Sequence, residues 1–237
     1  MNKLQAIVFD LDDTLYSERD FVLSGFRAVA QWGSENLGVE VERGYTTLFN
    51  LYSEGVRNNT FDRWLTIYGI DQPELATKFI NIYRQHSPQI EPFPDTINLL
   101  KTLSRSYQIG LVSDGYLEVQ QRKWAALELD AFFDAVVFSD QLGREKWKPS
   151  PAPFELVLEQ LKIAPESSVY IGDNPRKDFF GARQLGMYTI QVKRTGSEYG
   201  HLEPPDLAYH PHLIISSLAE VLILIEQLHL NIDRCLG

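Results

Sequence analysis

The sequence predicts an α/β fold, a doubly wound parallel sheet interrupted by an all-helical insert. Three observations carry that prediction. Short β-branched or aromatic runs alternate with segments of helical period along most of the chain. Asp10, Ser113 and Asp173 fall at the carboxyl ends of three of those runs. One long segment near the start holds no convincing strand.

The first run, Ala6–Phe9, leads straight into Asp10-Leu11-Asp12-Asp13-Thr14-Leu15-Tyr16. Like charges this close raise one another's pKa unless a cation stands among them. From Ser17 to Gln89 the strand rhythm stops. Phe26, Val29, Ala30, Gly33 and Leu37 mark one helical stripe, and further helices are expected at Thr46–Glu54, Phe61–Tyr68 and Leu75–Arg84. Pro88, Pro92 and Pro94 punctuate the return to alternation. The expected domains are therefore an alternating α/β core of residues 1–16 and 90–237 and an all-helical insert of residues 17–89.

Beyond the insert, strands are expected at Ile109–Ser113, Ala135–Ser139, Val169–Gly172, Thr189–Val192 and Leu213–Ile215. Helices are expected at Asp95–Ser104, Tyr116–Leu127, Lys177–Leu185 and Leu218–Leu228, and Phe154, Val157, Leu158 and Leu161 share one face of another. Strand–helix alternation of this kind winds a parallel sheet with right-handed crossovers. Ligands bind such sheets beyond the carboxyl ends of their strands, where Asp10, Ser113 and Asp173 all fall.

Composition narrows the class. The 237 residues are 44% hydrophobic and carry a formal net charge of −10, which argues against a nucleic-acid partner because such binding normally needs a basic patch. The single Cys235 leaves no internal disulfide and fits a reducing compartment. The amino-terminal stretch reaches acidic residues too soon for a signal peptide, and the late apolar run Val221–Ile225 is far short of a membrane span. A cytoplasmic protein without membrane partners is expected, as a monomer or homodimer.

Four short signals bear on chemistry: Asp10-Leu11-Asp12, Ser113-Asp114-Gly115, Lys148-Pro149, and Gly172-Asp173-Asn174 with Asp178 following. Singly, each has a plain structural reading: a turn aspartate, a cap serine, a solvated lysine with Lys146 as competitor, an N-cap. Together they occupy strand ends of one sheet. Other features read as structural. His210 and His212 lack a nearby Cys or acid to complete a zinc set. Cys235 reads as a tail residue, and Trp32 and Trp64 read as packing of the insert. Of Arg27, Arg43, Arg57, Arg63 and Arg84, only Arg57 and Arg63 flank the loop Asn58-Asn59-Thr60, which makes them the substrate candidates of the insert.

The order and spacing of the four signals resemble the haloacid dehalogenase superfamily, specifically its phosphatases with a helical cap (C1 type) between the first strand and the second motif. The matching positions are Asp10, Asp12, Thr14, Ser113, Lys148, Asp173 and Asp178. Asp114 departs from the asparagine of many relatives. The resemblance implies a Rossmann-like core and assigns Asp10 as nucleophile and Asp12 as general acid and base. Asp10 and Asp173, with the Asp12 carbonyl, would hold Mg²⁺. Ser113, Asp114 and Lys148 would surround the phosphate, Asn174 would support the site, and Asp178 would hold Lys148 or a metal-bound water. The implied activity is a Mg²⁺-dependent phosphomonoesterase acting on a sugar phosphate or nucleoside monophosphate through an aspartyl phosphate. The competing readings are a phosphomutase, which returns the phosphoryl group to a bound sugar, and a non-catalytic phospho-ligand sensor or receiver-like domain.

Overall fold

A computed structural model describes residues 3–225. The chain divides into two compact units, one built from the start of the chain through Glu18 and from Glu91 onward, the other Arg19–Ile90.

The first unit is a six-stranded sheet. Its strands are β1 (Ala6–Phe9), β2 (Gln108–Ser113), β3 (Ala135–Phe138), β4 (Ser168–Gly172), β5 (Tyr188–Val192) and β6 (Leu213–Ile215), in the order β3-β2-β1-β4-β5-β6. Every pairing is parallel, with Val8 opposite both Gly110 and Tyr170. The sequence expectation of a doubly wound α/β sheet holds. Ala6, Ile7, Val8 and Phe9 are all fully buried, as a central parallel strand covered on both faces requires. The order reverses between β1 and β4, so the crevice of a doubly wound sheet opens where Asp10 and Asp173 emerge.

On one face Ala6, Val8, Val112 and Tyr170 pack with Phe154, Val157, Leu158 and Leu161 of a helix, Ala152–Leu161. Each large apolar side chain buried there contributes roughly 1.5–3 kcal/mol. That helix starts with prolines in its first turn, where an amide donor is not needed, and stops at Lys162 in the left-handed region, φ 58°.

The helices, in chain order, are α1 (Glu18–Leu37), α2 (Val41–Ser53), α3 (Thr60–Ile67), α4 (Glu74–Gln85), α5 (Pro94–Leu103), α6 (Leu117–Leu127), α7 (Ala152–Leu161) and α8 (Phe180–Leu185). The helix expected from Lys177 begins three residues later. Asn174 Oδ1 accepts the Arg176 amide, and Asp178 Oδ2 accepts the Asn174 amide at 2.7 Å, which holds this stretch as a turn. Of the helix expected at Leu218–Leu228, residues 220–225 are helical and the remainder lies outside the described residues, as does Cys235.

The second unit contains α2, α3, α4 and the bulk of α1 around one apolar core of Phe26, Val29, Leu48, Trp64 and Phe79. Trp64 is fully buried, meets Phe79 edge-on at 5.3 Å, and donates its indole N–H to the Gly44 carbonyl at 2.9 Å. The tryptophans are packing residues here; Trp32 also lies edge-on to Phe79. Among the described residues, no helix is long and apolar enough to cross a membrane.

Candidate active site

Three adjacent strands deliver the acids and the hydroxyl. Asp10 follows β1 and is pinned by its amide to the Ile171 carbonyl of β4 at 2.8 Å. Ser113 ends β2, and Asp173 follows β4. Asp10, Ser113, Lys148, Asp173 and Asp178 are all buried.

Lys148 is the cation among the acids. Its Nζ donates to Asp10 Oδ1 at 2.6 Å, to Asp178 Oδ1 at 2.8 Å and to the Tyr170 hydroxyl at 3.0 Å. Burial works against its charge, but Asp10 and Asp178 outweigh it and hold the ammonium well above the ordinary lysine value. The competitor Lys146 is exposed in a short 3₁₀ turn. Asp114 Oδ1 accepts the Lys148 amide at 3.2 Å. A carboxylate there serves as acceptor just as an asparagine carbonyl would, so the departure at this position keeps the contact that seats Lys148.

Asp10, Asp173 and Asp178 each bring a carboxylate oxygen within 4.8 Å of the others. Burial is the chief cause that pushes Asp10 up, to about 6, with Lys148 opposing and Asp178 reinforcing it. Burial, then the charges of Asp178 and Asp10, push Asp173 well up as well. Asp10 Oδ2 and Asp173 Oδ2 are buried and accept no hydrogen bond. Buried carboxylates with unused lone pairs, supported by an oxygen-only donor set, fit a hard divalent cation such as Mg²⁺. Gly172 makes the cluster possible: a Cβ there would stand 2.6 Å from Asp178 Oδ2.

Asp12 is directed elsewhere. Its Oδ1 accepts from the Tyr16 hydroxyl at 2.5 Å and from Lys123 Nζ at 2.7 Å, and its Oδ2 accepts from Gln120 Nε2 at 2.7 Å. Burial alone raises Asp12, but the Lys123 charge and these hydrogen bonds outweigh it and leave the carboxyl below the ordinary aspartate value. Gln120 Nε2 also donates to Ser113 Oγ at 2.7 Å. Asn174 holds the turn before Asp178 rather than reaching the acids with its side chain. Thr14 is fully buried and its Oγ1 has no hydrogen-bond partner.

Sequence reasoning missed Gln120, Lys123, Tyr16, Tyr170 and Lys177. The signal for the first two is in α6, whose buried positions are Gln120, Lys123, Trp124 and Leu127. Two polar residues lead an otherwise apolar stripe. Lys177, half-buried, is lowered by burial and by Lys148 but raised further by Asp10, Asp178 and Asp114, so it too stays charged.

The candidates of the insert lie in the helical unit. Arg57 donates to the Tyr52 carbonyl at 2.7 Å, sits over the Tyr52 ring at 4.0 Å, and lines a cavity of about 320 Å³ with Thr60, Asp62 and Arg84. Arg63 is exposed on α3. Arg27 pairs with Glu42, and Arg43 lies over Tyr68. His212 Nδ1 accepts the Thr189 amide at 3.0 Å and its ring stacks on Tyr188, a sheet-edge role rather than a metal one. The His210 carbonyl accepts from Arg183.

Comparison with known proteins identifies a family. The sequence profile of the family described as haloacid dehalogenase-like hydrolase matches residues 7–192. The chain is 33% identical over 234 residues to a glyceraldehyde 3-phosphate phosphatase of Methanothermobacter thermautotrophicus, covering 92% of this chain and 100% of that protein. It is 25% identical over 239 residues to pyrophosphatase PpaX of Bacillus mycoides, covering 96% of this chain and 99% of that protein. A solved structure of a subfamily IA hydrolase of the haloacid dehalogenase superfamily from Geobacter sulfurreducens shares the fold. Its TM-score is 0.67 at 16% identity, over 94% of this chain and 96% of that one.

Proposed function

The chain belongs to the haloacid dehalogenase-like hydrolases, and on that premise we propose that it is a Mg²⁺-dependent phosphomonoesterase working through a phosphoaspartate at Asp10. It is a phosphatase, as its named relatives are. Its substrate is a small organic phosphate, with short sugar phosphates first. Support for that class comes from the relatives named for glyceraldehyde 3-phosphate, itself a triose phosphate. Nucleoside monophosphates remain the second class to test.

The observation that carries the reading is the environment of Asp10. One of its oxygens is held at 2.6 Å by a charged lysine, while the other is buried and unbonded beside Asp173. Asp10 attacks phosphorus and the ester oxygen departs with its electron pair. Asp12, in its protonated form, gives that oxygen a proton, and the proton it takes from the water that cleaves the acyl phosphate restores that form. Lys148, with Ser113, balances charge on the transferring group. Asp10 and Asp173, with the Asp12 carbonyl, would hold Mg²⁺. The ion, when bound, supplies the positive charge that lets an anionic nucleophile meet an anionic ester. Asp178 keeps Lys148 in place.

The test is a panel of phosphorylated metabolites, with inorganic pyrophosphate included, read by phosphate release. Expected is Mg²⁺-dependent release without a bisphosphate activator, silenced by excess chelator, inhibited by Ca²⁺, and absent from a folded Asp10→Asn variant. Undiminished turnover in chelator overturns the metal, and activity in Asp10→Asn overturns the nucleophile. Dependence on a bisphosphate activator makes the protein a mutase.

A further inference from the structure

Asp12, like Asp178, accepts three hydrogen bonds, but all of its donors are side chains. Three donors from two places reach one buried carboxylate: Tyr16 from the loop after β1, and Gln120 and Lys123 one turn apart on α6. Lys123 is itself almost wholly buried, its side chain 4% exposed. Gly115 lets α6 come this close, since a Cβ there would stand 2.9 Å from the Gln120 side chain and its φ is +137°.

A carboxylate oxygen offers about two lone-pair sites. Oδ1 uses both, on Tyr16 and Lys123, whereas Oδ2 accepts one hydrogen bond, from Gln120. We infer that Gln120 and Lys123 are positioning residues that fix the Asp12 carboxyl so that Oδ2 is the atom that carries the catalytic proton. Gln120 does this while also bonded to Ser113 Oγ, so the acid and the phosphate-facing hydroxyl share one anchor. This inference rests on the reading of Asp10 and Asp12 given above. In the first half-reaction the Asp10–phosphorus bond forms and the phosphorus–ester oxygen bond breaks. The departing oxygen takes the proton from Oδ2. In the second, a water oxygen bonds to phosphorus and Oδ2 takes the water proton. The Asp10–phosphorus bond then breaks, its electron pair returning to Asp10.

Leaving groups separate positioning from structure. An alkoxide needs the proton in order to leave, whereas a nitrophenolate departs without it. kcat/KM reports steps only through the first irreversible one, cleavage of the ester, and so excludes hydrolysis of the acyl phosphate. The experiment measures kcat/KM on the alkyl phosphate turned over fastest in the panel and on 4-nitrophenyl phosphate. The variants are Lys123→Met, Lys123→Arg, Gln120→Leu and Asp12→Asn, with folding checked by circular dichroism. Expected for Lys123→Met and Gln120→Leu is a loss of roughly 10–100-fold on the alkyl ester, part of the 10²–10⁴ that such catalysis supplies. The loss on the aryl ester should stay within about threefold for Lys123→Met and should be smaller than the alkyl loss for Gln120→Leu, which also releases Ser113; Lys123→Arg should recover much of the alkyl activity. Where Lys123→Met does not fold, Gln120→Leu carries the test. Equal losses on both esters, or none on either, in variants of α6 overturn the inference while Asp12→Asn still shows the split. If Asp12→Asn itself shows no split, Asp12 is not the acid, and the reading of the mechanism falls along with the inference.

Discussion

Lys148 shows how few side chains the site's charge balance depends on. A single ammonium stands between two buried aspartates, its side chain fully buried like that of Asp178. Removing one partner of a buried ionic group costs about 3–5 kcal/mol, because the charge left behind has neither water nor a counter-ion. Lys148→Met should therefore lose phosphatase activity and also melt well below wild type. Added Mg²⁺ should restore part of that loss, since a cation bound only to the folded protein stabilises it by mass action. A melting temperature equal to wild type would mean that Asp10 and Asp178 are neutralised in some other way. At this scale the sequence pointed to Asp10, Asp12, Ser113, Lys148, Asp173 and Asp178 from motif order. It did not reveal Gln120 or Lys123, because polar residues on an α6 stripe look like surface until the helix is packed.

At the scale of elements, Asp95 joins α5 to two segments far from it in the chain. It accepts three hydrogen bonds from Arg194, one from the Ser217 hydroxyl at 2.7 Å and one from the Leu218 amide at 2.9 Å. Burial pushes its pKa up, but the Arg194 and Ser217 hydrogen bonds prevail and hold it below the ordinary aspartate value. A carboxyl depressed in the folded state stabilises above its unfolded pKa, about 4, and that contribution is lost as pH falls through the lower folded value. Asp95→Asn should therefore lower the melting temperature at neutral pH, with the gap to wild type closing below about pH 4. A gap independent of pH would assign the effect to packing. Element boundaries were readable wherever period and punctuation agreed, as for β1 and β6. They were misread at Lys177, where side-chain hydrogen bonds to the backbone compete with helix formation.

For the whole molecule, none of the chemical residues falls within Arg19–Ile90, and a role for the helical unit in selection rather than chemistry is testable at its arginines. Arg57→Ala or Arg63→Ala should reduce kcat/KM on the preferred metabolite by about ten- to more than hundredfold if that arginine binds it, the scale of 1.5–3 kcal/mol for a charge-assisted hydrogen bond. 4-Nitrophenyl phosphate should be nearly unaffected, since a small leaving group draws little remote binding energy. Equal losses on both would place that arginine among the groups that bind the transferring phosphate. The sequence by itself determined the parallel sheet, the strand-free insert and the list of acids, because strand and helix periods and the order of strand-end residues are local properties of a chain. Tertiary structure decided which lysine counts, which oxygens of Asp10 and Asp173 stay unbonded, and how Asp12 is held. Those depend on side chains more than a hundred residues apart meeting at 2.6–2.7 Å, and no local pattern encodes a meeting of that kind.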